Sequence, residues 1–285
     1  MSSHVTTTST EDPHGPRETR HQADDPALRG DDRGPHLAAA GAGPGDPQPA
    51  AEGRTARVGG RATHCVLVDT PEGRLLWDTS CPPDWEQRWE PTGLHDFFPY
   101  DKVSEDEYLH ARLQQLGVAP GDIDYVVLSH LHFDHAGNLG LFRDSGAAFV
   151  VSDVEKEFAF GFDGAFSGAH IKSDYQDVEF RTVSGDTEFL PGVSFIQTPG
   201  HTPGSMSLRV DLPESGTMIF TADAVYRGES YGPPSVPAAI VNNLESWYSS
   251  VEKLRGIAEE TDATMVFGHD PEQIRQLRVA PGVYA

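Results

Sequence analysis

The chain has 285 residues, with 21 Lys and Arg against 44 Asp and Glu, a formal net charge of −23. That balance repels phosphate backbones and anionic headgroups, which excludes nucleic acid and membrane surfaces as expected partners. No apolar run approaches the ~20 residues of a membrane span, and no export signal is visible at the N-terminus, so a cytoplasmic protein is expected. Cys65 and Cys81 form no CxxC pair and no disulfide framework, in keeping with a reducing compartment.

Residues 1–57 hold seven Gly, seven Pro and, beyond Ala, only Val5, Leu28 and Leu37 as aliphatics. Such a segment buries too little apolar surface to offset its chain entropy and reads as a disordered tail. Its histidines, His4, His14, His21 and His36, show no ligand spacing. From residue 58 onward a single folded domain is expected. Thr63–Asp69 and Arg74–Asp78 are apolar runs separated by Thr-Pro-Glu-Gly, the pattern of a β-hairpin. Ser104-Glu-Asp-Glu107 reads as a capping box for a helix through Leu109, Leu113 and Leu116, closed by Gly117. Strands are expected at 124–129, 147–151, 193–197, 205–210, 217–221 and 263–267. A helix is expected from Glu245 to Glu259 on the spacing of Trp247, Val251, Leu254 and Ile257. This order implies an α/β protein with sheet inside and helices outside.

The strand at 124–129 runs into His130-Leu-His132-Phe-Asp134-His135. Three imidazoles and a carboxylate within six residues are poorly explained by packing. Loops at strand ends hold ligands rigidly, and this mixture of donors suits zinc, iron or manganese.

The spacing His130-x-His132-x-Asp134-His135 resembles the signature of the metallo-β-lactamase superfamily, and the resemblance covers roughly residues 62–285. It implies a four-layer αββα sandwich with a dinuclear metal site. Three further ligands are then expected at later strand ends, and His201 in Thr-Pro-Gly-His-Thr-Pro-Gly, Asp223 in Phe-Thr-Ala-Asp and His269 in Val-Phe-Gly-His match in order. By the resemblance, His130, His132 and His201 bind one metal, Asp134, His135 and His269 the second, and Asp223 bridges them. Two zinc ions are the expected cofactors, with iron, manganese or cobalt as substitutes.

Asp223-Ala-Val-Tyr226, Phe267-Gly-His-Asp-Pro-Glu-Gln273 and Ser129–Gly137 are similar to the N-acyl homoserine lactonase branch. The resemblance implies hydrolytic opening of a lactone ring. Tyr226 would donate a hydrogen bond to the substrate carbonyl oxygen, and Asp134 would carry a proton to the leaving ring oxygen. Other lactonases resembling the pyridoxolactonases share these ligands. A glyoxalase-II-like thioesterase would add basic residues near the C-terminus, for which Arg275 and Arg278 are the candidates. An inactive metal-bound binding protein is the non-enzymatic alternative. A small-molecule lactone is the expected partner, and the chain is expected to act as a monomer or homodimer.

Asp78 is expected to orient a histidine ligand, and Asp270 either to orient His269 or to serve as a turn residue. Asp78-Thr-Ser80 stands where the family usually has Asp-Thr-Gly; this bears on the local turn, since glycine tolerates positive φ far better than serine. Trp77, Trp85, Trp89, Phe97, Phe98 and Tyr100 read either as a loop packed on the core or as a lid lining an apolar slot, with Phe133 and a loop from Phe158 to Phe166 beside it. His64, His95, His110 and His170 match no ligand position. The branch usually opens with a strand region before the hairpin, and only Thr55–Val58 offers a remnant, which leaves a sheet edge exposed.

Overall fold

The computed structural model describes residues 4–10, 63–93, 104–161, 169–237 and 240–285. The expected hairpin forms from β2 (Thr63–Thr70) and β3 (Gly73–Trp77). β4 (Tyr125–Val127), β5 (Ala148–Ser152) and β6 (Phe180–Val183) follow in parallel and, with β1 (His4–Thr10) at the other edge, give one sheet in the order β1-β2-β3-β4-β5-β6. β7 (Thr187–Leu190), β8 (Val193–Gln197), β9 (Met206–Leu212), β10 (Gly216–Phe220) and β11 (Thr264–Val266) make a second sheet. There β7 to β10 are antiparallel, and β11 lies parallel to β10.

Strand alternation sorts the apolar side chains into layers. Val66, Val68, Leu75 and Trp77 of the first sheet pack against Phe195, Leu208, Val210 and Phe220 of the second, forming the central core. Cys65, Leu67 and Leu76 point the other way, onto Leu109 and Leu113 of a helix at Leu109–Gln115. Ile196 and Ile219 do the same on the far side. They meet Trp247, Val251 and Leu254 of a long helix at Leu244–Thr261, whose spacing puts all three on one stripe. Each such side chain, fully buried, contributes roughly 1.5–3 kcal/mol relative to exposure. The result is the expected αββα sandwich.

Several expectations need correction. Within the segment read as disordered, His4–Thr10 forms β1 and pairs antiparallel with β2, from His4 opposite Asp69 to Thr10 opposite Thr63. The stretch is rich in β-branched Thr, and its backbone ladder covers the edge of β2 where a bare edge was expected. Residues 11–62, including the proposed remnant at Thr55–Val58, lie outside the described residues. β6 and β7 escaped notice because each has only four residues and neither alternates cleanly in burial. Asp153–Gly161 is a helix, so Phe158 belongs to a helix and not to a loop. Its Asp-Val-Glu-Lys-Glu start looks solvent-facing in sequence, yet Glu155 and Ala159 are its buried residues.

The Ser104 box caps only a 3₁₀ turn at Glu105–Glu107, with the Ser104 amide donating to Glu107 Oε2 at 2.8 Å; Tyr108 is extended before the helix proper begins. Trp77 lies in the central core, 5.7 Å from the Phe195 ring, and takes no part in a lid. Among the described residues no helix is long and apolar enough to cross a membrane.

Candidate metal centre

Five strands deliver the candidate ligands to one edge of the sandwich. Asp78 follows β3, His130 to His135 follow β4, His201 follows β8, Asp223 follows β10 and His269 follows β11. β3 and β4 run parallel, as do β10 and β11; β8 is two antiparallel steps from β10 and so points the same way. Within each sheet these C-terminal ends face one way, and the convergence of their donors places both sets at one edge. Close loop approach is needed to bring Asp223 and His269 together. At Gly268 an added Cβ would sit 2.3 Å from the Ala222 carbonyl oxygen, a contact only glycine allows.

The seven predicted donors converge, all of them buried, in the two groups His130, His132, His201, Asp223 and Asp134, His135, His269. His201 Nε2 lies 2.9 Å from His132 Nδ1, 3.1 Å from His130 Nε2 and 3.1 Å from Asp223 Oδ2. His269 Nε2 and His135 Nε2 lie 2.9 and 3.0 Å from Asp223 Oδ1. Asp223 thus turns one oxygen to each group. Asp134 stands 3.7 Å from His269 Nε2 and 3.8 Å from His135 Nε2. His130 and His132 reach the cage from a loop and not from a strand, since β4 ends at Val127.

Outer contacts aim the rings. His201 Nδ1 donates to the Ile240 carbonyl at 2.7 Å; a carbonyl only accepts, so Nε2 presents a lone pair. Asp78 Oδ2 lies 2.8 Å from His135 Nδ1, while its carboxylate accepts from the Ser129 amide at 2.7 Å and hydroxyl at 2.9 Å. The expected orienting role of Asp78 is realised. Asp270 instead caps the short helix Pro271–Ile274, accepting from the amides of Glu272, Gln273 and Gly228.

Burial, then crowding by neighbouring imidazoles, pushes His130 and His132 well below the usual imidazole range, and burial likewise lowers His201. Burial opposes charge on Asp223 too, but His269, His135 and His201 hold its carboxyl well below the usual range. Burial also works against a charged His135, yet Asp223, Asp78 and Asp134 lift it well above the imidazole range. Neutral imidazoles at His130, His132 and His201 beside the anionic Asp223 are the donor set of a divalent transition-metal site, and the carboxylates that favour positive charge at His135 favour a cation at the same place. The residues present fit a pair of such ions.

The turn carrying Asp78 is strained. Asp78 and Ser80 have φ of 58° and 57°, so Ser80 adopts the left-handed conformation that favours glycine. Its hydroxyl lies 2.8 Å from that of Thr63, and Asn138 clips the turn by donating to the Thr79, Ser80 and Cys81 carbonyls. Ser80→Gly is expected to leave stability within about 1 kcal/mol of wild type, because relief of about 1 kcal/mol of backbone strain offsets a hydrogen bond of similar worth. Thermal unfolding checks this.

Tyr226 is buried beside the cage, its ring 4.7 Å from that of His269 and 5.8 Å from that of His201. Trp89 packs edge-on to Phe133 at 4.4 Å within an apolar cluster with Trp85, Tyr108 and Cys81. Phe97, Phe98 and Tyr100 lie outside the described residues, as do His95 and residues 162–168. Sequence reasoning missed Ser129, Asn138, Glu155 and the Ile240 carbonyl. It also passed over His170, whose ring is 4.3 Å from that of His132. Ser129 opens the histidine motif and Asn138 follows it, but neither is a residue type that marks a metal site; Glu155, His170 and Ile240 lie in no local motif, so nothing in the linear pattern marks them.

Fold and site together define a class: a metallohydrolase-type sandwich with a buried cage of imidazoles and carboxylates at one edge. The chain belongs to the metallo-beta-lactamase superfamily, whose family model matches residues 58–269. It is similar to the N-acyl homoserine lactonase AttM of Azorhizobium caulinodans, with 35% identity over 230 residues covering 76% of this chain and 85% of the relative. The N-acyl homoserine lactonase AiiA of Bacillus thuringiensis subsp. kurstaki is 32% identical over 224 residues, covering 76% and 84%. Among solved structures, an N-acyl homoserine lactone hydrolase with the product N-hexanoyl-L-homoserine bound at its catalytic metal centre aligns with a TM-score of 0.67. That alignment has 30% identity and covers 79% of this chain and 87% of that one.

Proposed function

We propose that the protein is a dinuclear metal-dependent hydrolase that opens the lactone ring of N-acyl homoserine lactones. The convergence of seven buried donors, with the tyrosine Tyr226 beside them, carries this reading. His130, His132 and His201 would hold one ion, Asp134, His135 and His269 the other, and Asp223 would bridge. Zinc is the proposed metal on ligand type. A cation pair supplies water that ionises near neutral pH and a positive field for a developing oxyanion. The chain's own groups do the rest. The Tyr226 hydroxyl donates to the lactone carbonyl oxygen as that oxygen gains charge. Asp134 takes the proton from the attacking water and returns it to the ring oxygen as the C–O bond breaks, yielding the open hydroxy acid.

The thioesterase alternative has little support, since the Arg278 guanidinium stacks 4.4 Å from the Tyr284 ring and donates to the Val283 carbonyl. The strong negative charge and two buried thiols support a cytoplasmic enzyme acting on a small neutral molecule. The test is to measure metal per chain in purified protein, then turnover of short- and long-chain N-acyl homoserine lactones against lactoylglutathione and nitrocefin. Two ions per chain with lactone opening far above the other two is expected. Faster turnover of the thioester or the lactam would overturn the assignment.

A further inference from the structure

Beside the loops of the three-histidine group sits a carboxylate that the reaction does not use. Glu155 is fully buried on the first turn of the helix Asp153–Gly161. One oxygen, Oε1, accepts from the Leu131 amide at 3.0 Å, the peptide between His130 and His132. The other, Oε2, accepts from the Thr202 hydroxyl at 2.5 Å, next to His201. Oε1 also lies 3.4 Å from His170 Nε2, and the His170 ring backs onto His132. The loop bearing His201 is seated directly on this helix. Ser152 Oγ accepts from the Glu155 amide at 2.9 Å and donates to the Gly204 carbonyl at 2.7 Å, and a Cβ added at Gly204 would lie 2.1 Å from the Glu155 nitrogen.

We propose that Glu155 is a positioning residue that sets metal affinity at the three-histidine group, by tying the loop of His130 and His132 to the loop of His201. The two loops come from different sheets. One carboxylate spans them, and it is the side chain that bonds next to all three imidazoles at once. Burying a carboxylate is costly unless it is well hydrogen-bonded, so a fully buried glutamate in this place implies a return. That return is convergence of three ring nitrogens, with His201 Nε2 2.9 Å from His132 Nδ1 and 3.1 Å from His130 Nε2, separations that a cation tolerates and an unbraced loop pair does not hold.

The inference rests on the metal-centre reading above, and the experiment separates the two. Zinc affinity is measured by chelator competition for wild type, Glu155→Ala, Glu155→Gln and Thr202→Val, together with the melting temperature of each metal-free protein. Glu155→Ala is expected to weaken zinc binding at the three-histidine group by about 10–100-fold, the range for loss of an outer partner. Glutamine places a carbonyl at the Leu131 amide and an amide donor at the Thr202 hydroxyl, so Glu155→Gln should recover most of that loss. Thr202→Val cuts one arm and should fall between, and it decides the matter if Glu155→Ala does not fold. Wild-type affinity in the variants, or a lower metal-free melting temperature without weaker zinc binding, overturns the inference alone. A wild-type protein that binds no zinc overturns the metal centre itself.

Discussion

His132→Ala is expected to abolish metal binding at the three-histidine group and lactone opening together. The ring is buried and aimed by its neighbours at a point shared with His130 and His201, so no water or side chain replaces it without rebuilding the loop. Losing one of three neutral nitrogen donors leaves two imidazoles and a shared carboxylate, too few to keep a transition-metal ion against competing buffer ligands. The effect should exceed the roughly 100-fold upper range for removing an outer contact. Elemental analysis after dialysis reads the metal, and a lactone-opening assay reads the rate. Alanine should fold, since the sandwich core lies below the site and does not include His132. Turnover retained at the wild-type level would remove the proposed centre.

Tyr226→Phe is expected to leave metal content unchanged and to lower kcat by about 10²–10³-fold, the cost of removing one oxyanion donor. The substitution keeps the ring and its edge contacts to His201 and His269, so only the hydroxyl is tested. An interaction made chiefly in the transition state lowers kcat and kcat/KM alike, with KM little moved. An unchanged kcat would take Tyr226 out of the mechanism, and a change in KM alone would make it a binding contact.

Much of the site was legible because its signals are local. His130 to His135 crowd four donors behind a Val-Val-Leu strand, and His201, Asp223 and His269 each end an apolar run. Asp78 carried the same signal at the end of the hairpin and does contact His135. The hairpin, the helix over Trp247, Val251 and Leu254, and most strands show periodicities of two or 3.6 that burial imposes on sequence. Where burial is one-sided or short, as in β6 and β7, that imprint fades. β1 left only a run of β-branched residues, Val5 to Thr8 and Thr10, with no alternation of apolar and polar positions to mark a buried face.

The sequence by itself determined the chemistry of the donors, their order along the chain and the layered α/β architecture, because residue type and local spacing encode these directly. Only the tertiary structure decided which groups brace them. Asn138 clips the strained turn at Asp78–Ser80, the Ile240 carbonyl selects the tautomer of His201, and Glu155 joins two loops from opposite sheets. Partners separated by tens of residues meet through the packing of two sheets, and no local pattern records a contact that closes only when the whole core is buried.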